Sequence, residues 1–251
     1  MRYALHGQTA LLVGALILAS GCSEPTETMV DGDCQSVYGG DICTYGVVLG
    51  DDVVEFGATV PLASIENAPL DEEPVFPPPF VARIALPDEV RSGIGIDHLA
   101  LNWEVVGHPP RTFLTPHFDF HFYTTDARTV DGIDCSDTLK PDVIPAGYDL
   151  PDFPIPDTDI TLVGLCVPGM GMHAANAEEA AATDPFEATM VVGYYSGEPI
   201  FVEPMITRDL MMTRQDFSLA VPSVDSAPNF PASFDAVYDE ASDSYRLKFR
   251  M

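Results

Sequence analysis

The segment Pro116-His117-Phe118-Asp119-Phe120-His121-Phe122-Tyr123 sets two imidazoles and a carboxylate at alternate positions. Alternate side chains of a strand share a face, so His117, Asp119 and His121 are expected on one side and Phe118, Phe120 and Phe122 on the other. Three aromatics on one face belong on a core, which leaves the His-Asp-His face for chemistry. Residues two apart in a strand are separated by about 6–7 Å and residues four apart by about 13 Å. His117 and His121 therefore cannot easily share one ion in a flat strand. Asp119 can share one with either histidine, and a bend or bulge would help the pair converge.

The remaining ligands have to come from other segments. Gly169-Met170-Gly171-Met172-His173 places a histidine on a flexible turn, and Glu203 opens the segment Glu203-Pro204-Met205. His108, in Gly107-His108-Pro109-Pro110, stands just ahead of the histidine strand. A borderline divalent ion takes three or four N and O ligands. The expected set is His117, Asp119, His121, His173 and Glu203 around zinc, copper or manganese, with Asp119 either ligating or orienting an imidazole. The competing reading is a hydrogen-bonded polar cluster without metal. In that reading Glu203 only favours the start of a following helix, and His108 only shapes a turn. There is no G-x-S-x-G nucleophile turn and no phosphate-loop glycine spacing. Paired carboxylates are too numerous to single out for glycoside hydrolysis. Met190, Met205, Met211 and Met212 read as core filler.

The chain has 251 residues, 39 Asp and Glu against 11 Lys and Arg, and a formal charge of −28. That balance repels nucleic acid and anionic lipid headgroups and argues against either as a partner. The acidity is spread along the chain, as on a solvated surface. With 23 prolines and 19 glycines, many turns and few long helices are expected.

Arg2 and the apolar run Thr9–Leu18 are too short to span a bilayer comfortably and read as a signal of residues 1–21. The signal ends in Leu18-Ala19-Ser20-Gly21-Cys22, which resembles the lipobox of bacterial lipoproteins, with Ala19 where that pattern prefers Leu. The resemblance implies a diacylglyceryl group on Cys22, a membrane partner through that lipid, and a place in the cell envelope. Ser23 follows Cys22, with no Asp to favour inner-membrane retention, so lipoprotein sorting rules favour the outer membrane. Removing Cys22 leaves Cys34, Cys43, Cys135 and Cys166. An even number in an exported chain favours two disulfides, and proximity favours Cys34–Cys43 and Cys135–Cys166 among three connectivities.

Residues 22–45 read as a lipidated acidic tether closed by Cys34–Cys43, and 46–251 as one β-rich extracytoplasmic domain. Strands are expected over Gly46–Val60 (two, around a turn), Val81–Leu86, Ile96–Val106, Pro116–Tyr123, Ile160–Val167, Thr189–Tyr195 and Ile200–Val202. A last hairpin is expected over Phe234–Tyr238 and Ser244–Phe249. Proline-rich Ala68–Phe80 and the stretch Thr125–Asp159 are expected as long loops. Helices are expected at Ala174–Thr183 and from Pro204 through Met212. The fold class is mainly β: an antiparallel β-sandwich or small barrel with two short helices and long Pro-rich loops.

Taken in order, the Gly107-His108-Pro109-Pro110, Pro116–Tyr123 and Gly169–His173 motifs, followed by Gly193-Tyr194-Tyr195-Ser196-Gly197 leading to Ile200–Met205, resemble a family of exported bacterial proteins of unknown function. The likeness covers about Gly46 to Phe249. Trp103-Glu104-Val105-Val106 stands where that family carries a Trp-Asn-Pro-like turn. The resemblance implies a β-rich exported fold and allows homo-oligomers, and it carries no activity. The functional expectation is a surface-anchored lipoprotein with a divalent-metal site. The alternatives are a metal-dependent enzyme resembling the cupins, or a structural or envelope-interaction protein without metal.

Overall fold

The structure is a computed structural model that describes residues 26–155, 158–224, 227 and 229–251. The expected signal peptide and Cys22 lie outside the described residues.

Two antiparallel sheets carry the fold. Strands β1 (Glu27–Val37), β2 (Gly40–Leu49) and β3 (Asp52–Pro61) form a meander. They are completed by β13 (Phe217–Leu219), β14 (Ser233–Asp239) and β15 (Ser244–Arg250), in the order β1-β2-β3-β15-β14-β13. The second sheet contains β4 (Ala82–Ala85), β5 (His98–Glu104), β6 (His117–Tyr123) and β7 (Tyr148–Asp149), together with β10 (Met172–Asn176), β11 (Ala188–Tyr195) and β12 (Glu198–Thr207). Its order is β4-β5-β6-β12-β11-β10-β7. A small pair, β8 (Phe153–Pro154) with β9 (Thr161–Leu162), stands apart. Both large sheets have open edges, so the arrangement is a sandwich and not a closed barrel.

The alternation of side chains decides how the sheets stack. In β15, Tyr245, Leu247 and Phe249 are buried while Arg246, Lys248 and Arg250 point outward. In β6, Phe118, Phe120 and Phe122 enter the same core. Phe122 meets Phe249 edge-on at 5.2 Å between centroids, and Phe56 stacks on Phe249 at 5.1 Å. The expected aromatic face of β6 is thus the face that joins the sheets. Each fully buried ring removes enough apolar area to contribute about 1.5–3 kcal/mol.

The other face of β6 is buried too. A second core, with Tyr123, Val130, Ile133, Met172, Phe201 and Met205 among its members, covers it from the loops between β6 and β11. This layer carries the disulfide Cys135–Cys166, while Cys34–Cys43 ties directly paired residues of β1 and β2. No helix among the described residues is long and apolar enough to cross a membrane.

Several expectations change. Residues 27–45 are not a tether but the strand β1 and the start of β2, because β1 finds a partner along the whole of β2. Among the described residues five short α-helices stand in place of two: α1 (Leu62–Glu66), α2 (Asp88–Gly93), α3 (Ala127–Asp131), α4 (Ala177–Ala180) and α5 (Arg208–Met212). The Ala- and Glu-rich stretch 174–183 begins as strand, since Ala174 is buried and pairs with Val192, and only four residues become helical after the Asn176 cap. Burial here overrides helix propensity. Pro204 sits inside β12, where the ladder to β6 breaks between the pairs Val202–Phe122 and Met205–Asp119. A proline has no N–H to give at that gap. The helix starts later, with Thr207 accepting from the Leu210 amide. Ile160–Val167 is strand only at Thr161–Leu162, because Gly164 and Leu165 take positive φ. The loop Thr125–Asp159 holds α3, capped by Asp126, and two strand fragments.

Candidate metal centre

The inner face of β6 presents His117, Asp119 and His121, as the alternation requires, and all three are buried. Neighbouring strands determine what surrounds them. On β5, Glu104 lies opposite His117, Asn102 opposite Asp119, and Ala100 opposite His121. On β12, the pairs on either side of the break set Glu203 across from His121. His173 on β10 pairs with Gly193 of β11, which pairs in turn with Phe201 of β12. All five histidines of the described residues line this one side of the sheet.

Two glycines make the approach possible. A Cβ on Gly193 would come within 1.9 Å of the Phe201 ring, so the bare backbone leaves room for that ring. Phe201 in turn packs at 4.9 Å from His121 and 5.1 Å from His173. Gly107 has φ of +68°, and a Cβ there would lie 2.0 Å from the Phe113 carbonyl oxygen. The turn it allows folds His108 back onto His117, with centroids 5.0 Å apart.

The five expected ligands do not form one centre. They divide into two groups of potential ligand atoms, each group lying within 4.8 Å: His121, His173 and Glu203, and His108, His117 and Asp119. The correction follows from strand geometry, because four residues of a strand separate His117 from His121 by about 13 Å and no bulge shortens the step. Each group has two imidazoles and one carboxylate. His108, seen in the sequence but left outside the expected ligand set, completes the second group.

The distances within each group are informative. His121 Nε2 and Glu203 Oε1 are 3.5 Å apart, and His117 Nε2 and Asp119 Oδ1 are 3.2 Å apart. Neither pair meets hydrogen-bonding geometry, and His121 has no partner on either ring nitrogen. Two ligands of a tetrahedral ion with bonds of 2.0–2.1 Å stand about 3.3–3.4 Å apart. The observed pairs lie close to that edge. Hydrogen bonds elsewhere fix the imidazoles: Nδ1 of His117 meets the Thr115 carbonyl at 2.7 Å, Nδ1 of His173 meets that of Leu165 at 3.2 Å, and Nδ1 of His108 meets that of Pro109 at 2.9 Å. An Nδ1–H given to a carbonyl leaves the Nε2 lone pair free for a metal.

Burial and charge crowding then set the protonation states. Burial pushes His121 down to about 3, and burial with the nearby charge of His108 pushes His173 down to about 4. Both are neutral near pH 7, as ligands must be. Burial also lowers His108. For His117 burial acts downward, but the Asp119 carboxylate outweighs it and the net direction is upward. Asp119 is held low because His117 outweighs its own burial. Glu203 is driven well upward by burial and by the charges of Asp119 and Glu104, and Glu104 is raised to about 7 by burial and Asp119.

Glu104 went unnoticed in the sequence. The signal was present: a carboxylate that shares parity with Asn102 and Ala100 in a strand running beside the histidine strand. His98, stacked on Tyr123 at 5.0 Å and held by Asp97 at 3.0 Å, also lines this face without joining either group. Of the eleven buried side-chain atoms without a hydrogen-bond partner among the described residues, eight belong to His98, Asn102, Glu104, His117, Asp119, His121 and Glu203. Two surface grooves, one containing Met29, Glu55, Arg246 and Lys248 and the other Ile94, Thr124 and Phe230, contain none of these residues. The chain matches no family profile, no curated protein and no solved structure.

Proposed function

We propose that this chain is an envelope-anchored metal-binding lipoprotein whose ion is held by His121, His173 and Glu203. The observation that supports the ion is that both ring nitrogens of His121 and Oε2 of Glu203 are buried without a hydrogen-bond partner, while His121 Nε2 lies 3.5 Å from Glu203 Oε1. Leaving such atoms unpartnered costs about 1–3 kcal/mol each, and a cation between them removes that cost. Two imidazoles and a carboxylate suit zinc, and manganese or copper with a different geometry. The lipid anchor rests on the sequence around Cys22 alone.

Equilibrium dialysis of the untagged chain against zinc, manganese or copper, followed by elemental analysis, tests the ion. About one equivalent or more per chain is expected, with the ion of this centre lost in Glu203→Gln. Less than about a tenth of an equivalent under all three metals refutes the reading. For the anchor, Cys22→Ala is expected to move the protein from membranes to the soluble fraction. Unchanged membrane fractionation counts against the lipid.

A second reading follows from the three-ligand set. Three protein ligands leave a coordination position for water, whose pKa an ion such as zinc lowers towards about 7. His173, half-buried, is the member of the set nearest solvent. A hydrolytic metalloenzyme uses such a position but also needs a cavity beside it; neither surface groove contains these ligands, which favours the binding reading.

A further inference from the structure

We propose that the same sheet face binds a second divalent ion, ligated by His108, His117 and Asp119 with Glu104 as the neighbouring carboxylate. The two positions share no ligand, so the proposal does not depend on the first ion being present.

Three observations carry it. First, His117 and Asp119 are buried, and the atoms that approach at 3.2 Å, Nε2 and Oδ1, have no hydrogen-bond partner. An imidazole and a carboxylate that only needed each other would align as donor and acceptor. Second, both histidines of the group have Nδ1 engaged by a backbone carbonyl, which leaves Nε2 to ligate, and the group's potential ligand atoms lie within 4.8 Å of one another. Third, Glu104 lies directly across the strand pair from His117, and its Oε1 is also buried without a partner. Three ligands and an adjacent carboxylate approach the four-coordinate set that zinc prefers.

Charge argues the same way. Glu104, Asp119 and Glu203 stand on three adjacent strands under one cover, and no Lys or Arg pairs with any of them among the described residues. One divalent ion at Glu203 leaves Glu104 and Asp119 at the other end of the face, with the His117 imidazole as the one group within salt-bridge distance of Asp119 among the described residues. Burying such groups without compensation is strongly unfavourable. A second ion balances them. The two ligand groups are separate sets, each closing within 4.8 Å.

Stoichiometry decides the matter. The untagged chain, titrated with Co(II) and followed by its ligand-field absorption, is expected to saturate at about two equivalents. Elemental analysis after zinc dialysis is expected to agree. Asp119→Asn and His108→Ala are each expected to lower the count to about one, which Glu203→Gln then removes. In the other order, Glu203→Gln alone leaves about one, which Asp119→Asn removes. Saturation of the wild-type chain at one ion that Glu203→Gln removes and Asp119→Asn leaves in place overturns the second site and leaves the first reading standing, and one ion with the reverse dependence overturns the first reading and supports the second. Two ions that both survive Asp119→Asn and His108→Ala place the second elsewhere on the acidic surface and also overturn it. Absence of any ion overturns both readings. A wild-type count of two needs no variant to fold, and if one substitution misfolds the other variant of the same group, Asp119→Asn or His108→Ala, assigns the ion.

Discussion

Replacing His121 with Phe is expected to stabilise the metal-free protein and to abolish the stabilisation that metal provides. In the absence of an ion, both ring nitrogens of His121 are buried without partners, and the ring is surrounded by Phe80 at 5.7 Å, Tyr123 at 5.7 Å and Phe201 at 4.9 Å. Each unpartnered nitrogen costs about 1–3 kcal/mol. The phenyl ring keeps the aromatic contacts but is slightly larger, which offsets about 1–3 kcal/mol in a packed core. The net gain is about 1–2 kcal/mol, or about 2–8 °C in Tm for a domain of this size. Wild-type protein with free zinc at a hundred times its Kd gains about 2.7 kcal/mol, and the variant gains nothing at this centre. The stability order therefore reverses: His121→Phe ranks above wild type in a chelator and below it in zinc. Denaturation in urea under both conditions reads it directly. If His121→Phe is less stable than wild type in the chelator by about 1 kcal/mol or more, His121 is satisfied without metal and the reasoning fails. Equal gains from zinc in the two proteins at this centre would also refute it.

Two further outcomes follow from the cover and from the buried histidines. Opening Cys135–Cys166, which spans 31 residues, is expected to cost about 3–4 kcal/mol by chain entropy, against somewhat less for Cys34–Cys43, which spans 9. It should also weaken metal binding, because Leu165 beside Cys166 supplies the carbonyl that orients His173; paired Cys→Ser variants measured by denaturation and by metal titration test both effects. In chelator, wild type is expected to lose stability relative to His121→Phe as pH falls from about 6.5 toward 4, since His121 is held near 3 when folded but takes up a proton near its ordinary 6.5 when unfolded, while the raised Glu104 and Glu203 act in the opposite direction in both proteins. A urea series of both proteins across that range that shows no such relative loss contradicts the assignment of a neutral imidazole at His121.

How much of this was legible depended on whether a feature is set locally. The face-splitting of β6 follows from a period of two, and its three phenylalanines lie on the inter-sheet core as the pattern requires. The final hairpin and the Cys34–Cys43 bond are equally local, while Cys135–Cys166, 31 residues apart, follows from pairing each cysteine with its neighbour in sequence. Where tertiary contact competes with local preference, the sequence misleads. Ala174 has high helix propensity, but its burial opposite Val192 keeps it in a strand. Pro204 looks like a helix start because nothing in the sequence shows that the strand ladder has a gap at that residue. The acidic stretch near Glu27 resembles a tether until β2 is there to pair with it. The site itself was half legible. Its residue types and two of its strands could be read, but the division into two groups depends on strand register. So does Glu104, which reaches His117 only across a strand pair.

Selectivity is the point at which this acidic chain tests the site most sharply. With 39 acidic side chains against 11 basic ones, the surface attracts any divalent cation, and its oxygen ligands favour hard ions such as calcium. That attraction is weak and screened by salt. The buried face offers a different donor set, with four imidazoles in two groups and their Nδ1 atoms, save those of His121, held by backbone carbonyls. Nitrogen donors discriminate against calcium and magnesium and in favour of zinc and its first-row neighbours. Zinc bound here should therefore survive a large excess of calcium at physiological salt, while zinc held by surface carboxylates should be displaced. Dialysis of the zinc-loaded chain against calcium, followed by elemental analysis, separates the two populations. Zinc lost in parallel with rising calcium would mean that the imidazoles hold nothing, and that the unpartnered atoms of this face are satisfied by some other means.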